Sequence, residues 1–230
     1  MAFRSDDRAI HPPHRHAAYR STELRAPRLP PIRFPQTVSE CTGPSFAALR
    51  LAAHESDLTQ QHAAAPLGER IVVAGQLRDE DGQPLAGQLV ELWQANAAGR
   101  YAHPSDQHDA PLDPNFAGAG RALTDAEGRY RFVTIKPGAY PWQNHANAWR
   151  PAHLHFSVFG PAFATRLVTQ MYFPGDPLLE LDPIFRSVPE RARERLIAAF
   201  DLAETQADWA LGYRFDVVLR GRDATPRTPP

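Results

Sequence analysis

Apolar and polar residues alternate along several short stretches of this 230-residue chain. In HLHFSV, residues 153–158, two histidines and a serine alternate with three apolar side chains, which is the two-residue period of a half-buried strand. The other stretches that predict strands are 70–77, 88–94, 130–135, 167–173 and 213–219. Short strands separated by glycine and proline are typical of an antiparallel β-sandwich or barrel, so the pattern predicts an all-β fold.

Signals for helices are few. Ser187 and Glu190 have the spacing of a capping box, and apolar residues then follow at helical spacing from Ala192 to Phe200. This pattern predicts one helix that packs against the sheet. We therefore expect one or two short helices in the whole chain.

The N-terminal segment has no sustained period. Residues 26–36, APRLPPIRFPQ, are too rich in proline for a helix or a central strand, which predicts an extended arm. Leu29, Ile32 and Phe34 would be poorly placed in water, so we expect this arm to dock on a partner chain. The predicted parts are an N-terminal arm and partner-docking segment, 1–66, one β-sandwich domain, 67–222, and a loose C-terminal tail, 223–230.

Composition and charge exclude several classes of function. The formal net charge is −1 and the isoelectric point is about 6.8, which gives no general attraction to nucleic acid or to an anionic membrane. Cys41 is the single cysteine, so the chain has neither a disulfide framework nor a thiolate cluster, and a reducing compartment fits best. No stretch resembles a signal peptide or the roughly 20 apolar residues of a membrane span. We expect a soluble, cytoplasmic protein.

The paired histidines are the first candidate for chemistry. His153 and His155 share one face of the predicted strand, roughly 6.5 Å apart along its axis, so their imidazoles can converge on one ion. They can also be hydrogen-bonded side chains that line a groove, and the spacing leaves both interpretations open. His11, His14 and His16 form a second cluster near the N-terminus, which we interpret as a solvated tract.

Two tyrosines, Tyr101 and Tyr140, are further candidate ligands. Tyr140 and Arg150 each precede a proline, so the approach to the histidine strand is expected to be a stiff, extended loop. A phenol has a pKa of about 10, so only a strongly polarising cation such as Fe(III) holds it as phenolate at neutral pH. Buried tyrosines that pack a ring and form one hydrogen bond are an equally weighted alternative.

Several motifs together carry a resemblance to a known family. They are GRYAH from Gly99, APLDPNFAGAGRAL from Ala110, AYPWQNHANAWRPAHLHFSVFG from Ala139, LVTQMYFPGDPL from Leu167 and YRFDVVLRG from Tyr213. With these motifs the chain resembles the intradiol ring-cleavage dioxygenases, and within them the iron-bearing beta-type subunits that act on protocatechuate. The resemblance extends over nearly the full chain, from about Ile10 onward.

The resemblance implies an immunoglobulin-like antiparallel β-sandwich that holds non-haem Fe(III). It implies that Tyr101, Tyr140, His153 and His155 are the metal ligands, that Tyr140 is displaced by the substrate, and that residues 67–222 form the catalytic domain. It also implies that Arg150 stabilises the activated substrate by electrostatics, since a guanidinium does not readily lose its proton.

The resemblance further implies the substrates and the partner. Protocatechuate and O2 would give 3-carboxy-cis,cis-muconate, a reaction of aromatic catabolism on the beta-ketoadipate route. Catechol and hydroxyquinol dioxygenases share the four ligands, but they carry an N-terminal helical region, whereas HPPHRHAAYRSTEL from His11 looks like the protocatechuate type. An alpha-type subunit that lacks the ligands and helps to line the pocket is therefore expected.

Three other residues match substrate-pocket positions of the family: Trp142, Gln170 and Tyr19. Each has a simple structural alternative, either as a packing aromatic residue or as a polar residue within a strand. Gln143 and Ala102 depart from the family pattern, because a basic residue is more common at both positions. Neither belongs to the four ligands, so these departures concern the pocket rim and the breadth of substrates.

Two rival functions come from other classes. Residues 70–94 also resemble transthyretin-like and carboxypeptidase-regulatory-like domains, which would make the chain a non-catalytic binding module. A zinc hydrolase could use His153 and His155, but it lacks an evident third carboxylate or histidine ligand and a general base.

Overall fold

The computed structural model describes residues 7–32, 34–144 and 148–229. The strands of this part are β1 (Arg70–Arg78), β2 (Leu89–Trp93), β3 (Ala119–Leu123), β4 (Arg129–Ile135), β5 (Tyr140–Trp142), β6 (Ala148–Arg150), β7 (His153–Val158), β8 (Leu167–Tyr172), β9 (Ala199–Phe200), β10 (Leu211–Arg214) and β11 (Val217–Val218). The α-helices are single turns, α1 (Thr22–Arg25), α2 (Val38–Cys41), α3 (Pro183–Ser187) and α4 (Glu190–Arg193). Short 3-10 turns span Arg8–Ile10, Ala53–Glu55, Leu58–Gln60, Phe163–Thr165, Leu179–Leu181 and Glu194–Leu196. No described helix has the length and apolar content that crossing a membrane requires.

Two sheets face each other across one core. The first contains β11, β1, β10 and β9 in that order, with β4 paired to β1, and the second has the order β3, β2, β7, β8. Phe156 of β7 connects them, because its ring lies 6.3 Å from that of Phe132 in β4 and 5.3 Å from that of Phe215. Both sheets contribute to a single buried cluster that includes Ile71, Val73, Leu77, Val90, Leu92, Leu154 and Met171.

The predicted all-β sandwich is confirmed, with two parallel pairings that the pattern did not predict. Strand β1 pairs in parallel with β10 and β11, whereas the other strand pairs are antiparallel. A parallel pair needs a long crossover connection, and here the chain between β1 and β10 supplies it. The stretch predicted at 213–219 is split between β10 and β11, and β3, a short strand of small residues, was not predicted.

The single helix predicted after Ser187 was wrong. Ser187 is the last residue of α3 and Glu190 the first of α4, because Pro189 disfavours a helical Val188, whose φ of −74° and ψ of 135° are extended. Phe200 belongs to strand β9 and is 53 % exposed. The expectation of one or two short helices therefore undercounted the one-turn helices.

The C-terminal tail is packed, so the predicted loose tail was also wrong. Ala224 and Thr225 are buried. The backbone N–H of Thr228 donates to the Val168 carbonyl at 2.9 Å, and the Thr169 hydroxyl donates to the Pro226 carbonyl at 2.6 Å. Because β8 is the edge of its sheet, the tail covers hydrogen-bonding groups that would otherwise be open to other chains.

The N-terminal arm is anchored at its ends and exposed in its middle. Ile10 is buried in a small cluster with the α3 and α4 region, and Leu58 is buried in the main core. Between them, Leu29 and Phe34 are 79 % and 84 % exposed, and Ile32 is 81 % exposed. The domain boundaries and the docking of this arm on a partner stay predictions.

The segment before the histidine strand is a two-stranded ribbon and not the stiff loop that we expected. Strands β5 and β6 pair antiparallel, with Tyr140 opposite Arg150 and Trp142 opposite Ala148. The two X–Pro steps favour extended backbone, as predicted, and in this ribbon the extended segments pair with each other. Tyr140 and Arg150 are thereby brought side by side.

Replacing Phe156 by Ala tests the packing between the sheets. Phe156 is fully buried, so we expect the variant to lose about 3–5 kcal/mol in the free energy of unfolding, measured by urea denaturation. Phe200→Ala is the matched control, and its loss should stay below about 1 kcal/mol because that ring is half exposed. Equal losses in both variants would contradict the assignment of Phe156 to the core.

Candidate metal centre

Strand β7 presents His153 and His155 side by side. The strand lies between β2 and β8, and the Nε2 atoms of the two imidazoles are 3.2 Å apart. His153 is buried and His155 is half-buried. The same-face spacing predicted from the sequence is therefore present, and the two rings converge at their Nε2 atoms.

Two tyrosine hydroxyls complete the cluster. Tyr101 Oη lies 3.0 Å from His155 Nε2, and Tyr140 Oη lies 3.4 Å from His153 Nε2. The structure thus brings together all four ligands expected from the resemblance. They come from three separate parts of the chain, namely the loop after β2, the β5–β6 ribbon and strand β7.

A glycine permits the approach of the two tyrosine segments. Gly99 has a φ of +80°, and a Cβ built there would lie 2.2 Å from the carbonyl oxygen of Ala139, the residue before Tyr140. The Tyr101 N–H donates to Asp106 Oδ2 at 2.8 Å, which fixes the backbone two residues further on. Only a residue without a side chain allows the Tyr101 loop to contact the ribbon this closely.

The donor set fits a metal ion. Donor atoms that each lie about 2 Å from one ion are separated from their neighbours by roughly 3 Å, which matches the contacts in this cluster. His153 Nδ1 lies 2.7 Å from the Pro151 carbonyl, so Nδ1–H donates there and Nε2 keeps its lone pair for the cluster. Among the described residues, no three His, Cys, Asp or Glu side chains are arranged as metal ligands, so the tyrosines are needed to complete the set.

The protonation preferences of the cluster follow from burial and neighbouring charge. Burial lowers the pKa of His153 and His155 well below the usual value, and the Arg150 cation lowers both further. Burial, together with the nearby Tyr140, raises the pKa of Tyr101 well above the usual value. The histidines are therefore neutral at pH 7, and a polarising cation is required to keep Tyr101 as phenolate.

Arg150 lies in a buried hydrogen-bond network behind the cluster. Its Nε and Nη2 donate to the two oxygens of Asp182 at 3.0 and 2.9 Å, and Nη2 also contacts Gln170 Oε1 at 2.6 Å and Tyr172 Oη at 3.2 Å. Burial would lower the pKa of Arg150, but the Asp182 carboxylate outweighs this effect and raises it well above the usual value. Arg150 is a permanent buried cation.

The expected pocket residues also lie near the cluster. The ring of Trp142 lies 5.5 Å from the Arg150 guanidinium carbon and 4.8 Å from the ring of Tyr19. Gln170 Nε2 lies 3.4 Å from His155 Nδ1. The arm and the ribbon therefore meet beside the cluster, and the three substrate-binding candidates contact its residues or one another.

Sequence reasoning missed three residues of this site. Asp182 and Tyr172 complete the Arg150 network, and Trp93 stacks on the His155 ring at 4.9 Å and 5°. Asp182 directly precedes Pro183, which is a helix-start signal that says nothing of an ion pair. Trp93 lies on the strand next to β7, and its pairing with His155 depends on a register that the sequence does not specify.

Other candidate residues lie elsewhere. His11 is buried, and its Nδ1 accepts the N–H of Arg227 at 3.3 Å, so the solvated interpretation was wrong for this member of the N-terminal histidine tract. Gln143 and Ala102, which depart from the family pattern, are both exposed. Asp125 lies in an exposed turn and pairs with Arg129 at 2.8 Å. It is therefore not the third ligand that a zinc hydrolase would need.

Comparisons with known proteins agree with this site. A family model described as dioxygenase matches residues 41–221, and one described as the N-terminal part of the protocatechuate 3,4-dioxygenase beta subunit matches residues 3–37. The chain is 61% identical over 218 residues to the protocatechuate 3,4-dioxygenase beta chain of Burkholderia cepacia, and the match covers 94% of this chain and 93% of that one.

Two further similarities are more distant. The protocatechuate 3,4-dioxygenase alpha chain of Burkholderia cepacia is 31% identical over 199 residues, which cover 83% of this chain and 95% of that one. The crystal structure of catechol 1,2-dioxygenase from Pseudomonas arvilla C-1 has a TM-score of 0.54 at 29% identity, over 74% of this chain and 58% of that one. From the matched residues and the assembled site, this chain belongs to the intradiol ring-cleavage dioxygenases, with the N-terminal segment of their protocatechuate 3,4-dioxygenase beta subunits.

Proposed function

We propose that this chain is an iron(III)-dependent dioxygenase that cleaves protocatechuate with O2 between its two hydroxyl-bearing carbons, giving 3-carboxy-cis,cis-muconate. The convergence of two tyrosine hydroxyls and two imidazoles at one point carries this proposal. The 61% identity to a beta chain named for protocatechuate supports the choice of substrate. Both oxygen atoms of O2 enter the product.

Tyr101, Tyr140, His153 and His155 would hold the ion. Two phenolates leave one of three positive charges uncompensated, and the two imidazoles are neutral, so the set suits a trivalent cation. When bound, ferric iron would orient a catecholate and draw charge from it, which makes the ring reactive toward O2.

Tyr140 and Tyr101 are proposed to differ in role. Tyr101 is fixed by the Asp106 carboxylate and by the close contact at Gly99, so it is suited to stay in place. Tyr140 lies on a ribbon whose strands have only three residues each. Its Oη is therefore the better candidate to move and to take up a proton from a substrate hydroxyl.

Arg150 would stabilise negative charge that develops on the substrate. A guanidinium does not give up its proton, so its contribution is electrostatic and not acid–base. It lies next to Tyr140 across the ribbon and is almost fully removed from water, where a fixed charge acts most strongly. Trp142, Gln170 and Tyr19 would line the substrate pocket.

An alpha-type subunit is the proposed partner. The relative named as an alpha chain covers 83% of this chain, and the N-terminal segment matches a beta-subunit model. The exposed apolar residues of the arm, Leu29, Ile32 and Phe34, suit a surface that a second subunit covers. Residues 67–222 would be the catalytic domain, and the lone Cys41 fits a reducing, cytoplasmic location.

Oxygen uptake and the visible spectrum test this function together. We expect the iron-loaded protein, co-expressed with its alpha-type partner, to consume O2 with protocatechuate at least tenfold faster than with catechol or hydroxyquinol. Phenolate bound to Fe(III) should also colour it burgundy. Faster turnover of catechol by the isolated chain would contradict both the substrate and the partner.

Tyr101→Phe tests the ligand assignment itself. Removing one phenolate should lower the bound iron by about tenfold or more and weaken the visible band, measured by metal analysis and absorbance. Tyr213→Phe is the control, because that tyrosine lies in the first sheet and belongs to the core, so iron and colour should not change. A Tyr101→Phe variant with full iron and colour would exclude Tyr101 as a ligand.

The uptake of iron should depend on pH. Because burial raises the pKa of Tyr101, its proton must leave when the ion binds, whereas His153 and His155 are already neutral near pH 7. The apparent affinity for iron should therefore increase about tenfold per pH unit between about pH 6 and 8 because of this proton. Competition with a chelator of known pH dependence measures it. The slope should fall by one proton in Tyr101→Phe, and an unchanged slope would contradict the assignment.

A further inference from the structure

The geometry points to Asp182 as a positioning residue for Arg150. Together with Tyr172 and Gln170, Asp182 holds the guanidinium so that its Nη1 is left to contact the substrate. This inference rests on the proposed function, because it concerns how the arginine is aimed at a bound catecholate. Asp182 lies outside the four ligands and outside the residues expected from the sequence to line the pocket.

The Asp182 carboxylate accepts two hydrogen bonds from one edge of the guanidinium. Nε donates to Oδ1 at 3.0 Å and Nη2 to Oδ2 at 2.9 Å, which is a bidentate contact along the Nε–Nη2 edge. Asp182 is fully buried and Arg150 is 2 % exposed, so neither partner can exchange the contact for water. Two parallel hydrogen bonds fix both the position and the rotation of a planar guanidinium, which one contact does not.

The other contacts of Arg150 also use Nη2. Gln170 Oε1 lies at 2.6 Å and Tyr172 Oη at 3.2 Å from this nitrogen. Within the described part of the chain, the hydrogen bonds of the Arg150 side chain use Nε and Nη2 alone. A guanidinium has five N–H donors, so the two on Nη1 remain for a bound molecule.

The guanidinium is held by Asp182 along one edge, and Gln170 links it to the ligand cluster by contacting both Arg150 Nη2 and His155 Nδ1. Arg150 pairs with Tyr140 across the ribbon, and one ring of the pocket wall, Trp142, lies 5.5 Å from its central carbon. Asp182 contacts the Nε–Nη2 edge. A catecholate held beside Tyr140 would therefore meet the guanidinium through the nitrogen that the carboxylate leaves unoccupied, Nη1.

Asp182 is itself held from two directions. Its Oδ1 accepts the N–H of Ile184 at 3.3 Å and so caps α3, and its Oδ2 lies 2.9 Å from Tyr172 Oη. The Tyr172 ring packs edge-on against Phe185 of α3 at 5.2 Å. The short helix α3 and the packed rings of Tyr172 and Phe185 thereby fix the position of Asp182, and Asp182 in turn fixes the position of the arginine.

A buried arginine also needs this carboxylate for its charge. Without an anion, a buried cation beside two imidazoles and a trivalent ion would be strongly unfavourable. Asp182 compensates that charge while leaving Nη1 unoccupied. An amide at this position would offer one acceptor oxygen in place of two, so it would neither compensate the charge nor hold the guanidinium in the same orientation.

A double-mutant cycle in kinetics tests the positioning role. In the iron-loaded enzyme with protocatechuate, Asp182→Asn should lower kcat by roughly 30-fold or more and change KM less than about threefold, because the charge is misplaced in the transition state. In an Arg150→Met background, the same substitution should change kcat by less than about twofold. Asp125→Asn, which removes another arginine-paired carboxylate in an exposed turn, should leave both constants unchanged.

A second readout needs neither iron nor activity. In the metal-free protein, Arg150→Met leaves the buried carboxylate unpaired, so the unfolding equilibrium constant in urea should rise on the order of 100-fold. Adding Asp182→Asn should recover most of that loss. Tyr172→Phe keeps the packed ring and removes only the hydroxyl, so it should fold and lower kcat by about three- to tenfold.

The outcomes separate this inference from the proposed function. Equal losses of kcat from Asp182→Asn with and without Arg150 would show a general structural role and overturn the inference. Additive changes in unfolding would show that the pair does not form in solution and would overturn it too. A wild-type protein that cleaves neither protocatechuate nor another catechol-type substrate would contradict the proposed function, and the inference with it.

Discussion

Two tyrosine hydroxyls and two imidazoles converge at one point, and their mutual contacts are the constraint on which the rest of the site depends. Without an ion, the donors can satisfy each other only in a chain of contacts, from Tyr101 to His155 to His153 to Tyr140. In such a chain one lone pair must serve two contacts, because His153 Nδ1–H donates to the Pro151 carbonyl and only the Nε2 lone pair faces both His155 and Tyr140. The scaffold therefore holds donor atoms that an ion satisfies better than they satisfy one another.

Rigid and adjustable elements divide this task. Strand β7 is paired on both sides and carries the two imidazoles, so their separation is fixed by the sheet. The position of Tyr101 depends on the close contact at Gly99, and the position of Tyr140 depends on a ribbon whose two strands have three residues each. Charge is also balanced within the site, because the buried Arg150 cation is compensated by the buried Asp182 carboxylate.

Much of this could be predicted from the sequence, and the exceptions have physical causes. The alternation in HLHFSV predicts strand β7 and the shared face of its histidines, because that information is local. Tyr101 was a candidate ligand from the sequence, but only the resemblance favoured this role over that of a packed tyrosine, since its contact with His155 joins residues 54 apart in sequence. Asp182 was missed for the same reason, as it meets Arg150 across 32 residues in a stretch that suggested only a helix start.

The errors in secondary structure also arose where tertiary contacts dominate. Pro189 breaks the helix that the capping-box spacing suggested. The tail after Arg222 looked loose because it is rich in proline and threonine, yet it hydrogen-bonds to the exposed edge of β8.

The arm links the β5–β6 ribbon to the exposed apolar surface that a second subunit would cover. Tyr19 packs against Trp142, and the Arg20 N–H donates to the Asn144 carbonyl at 3.3 Å, so the arm holds the same ribbon that carries Tyr140 and Arg150. A few residues further on, the arm exposes the apolar side chains around Ile32. Covering those side chains would restrict the arm, and through Tyr19 it would restrict the Trp142 ring. The ribbon that carries Tyr140 is thus braced by a segment whose exposed apolar side chains a second subunit would cover.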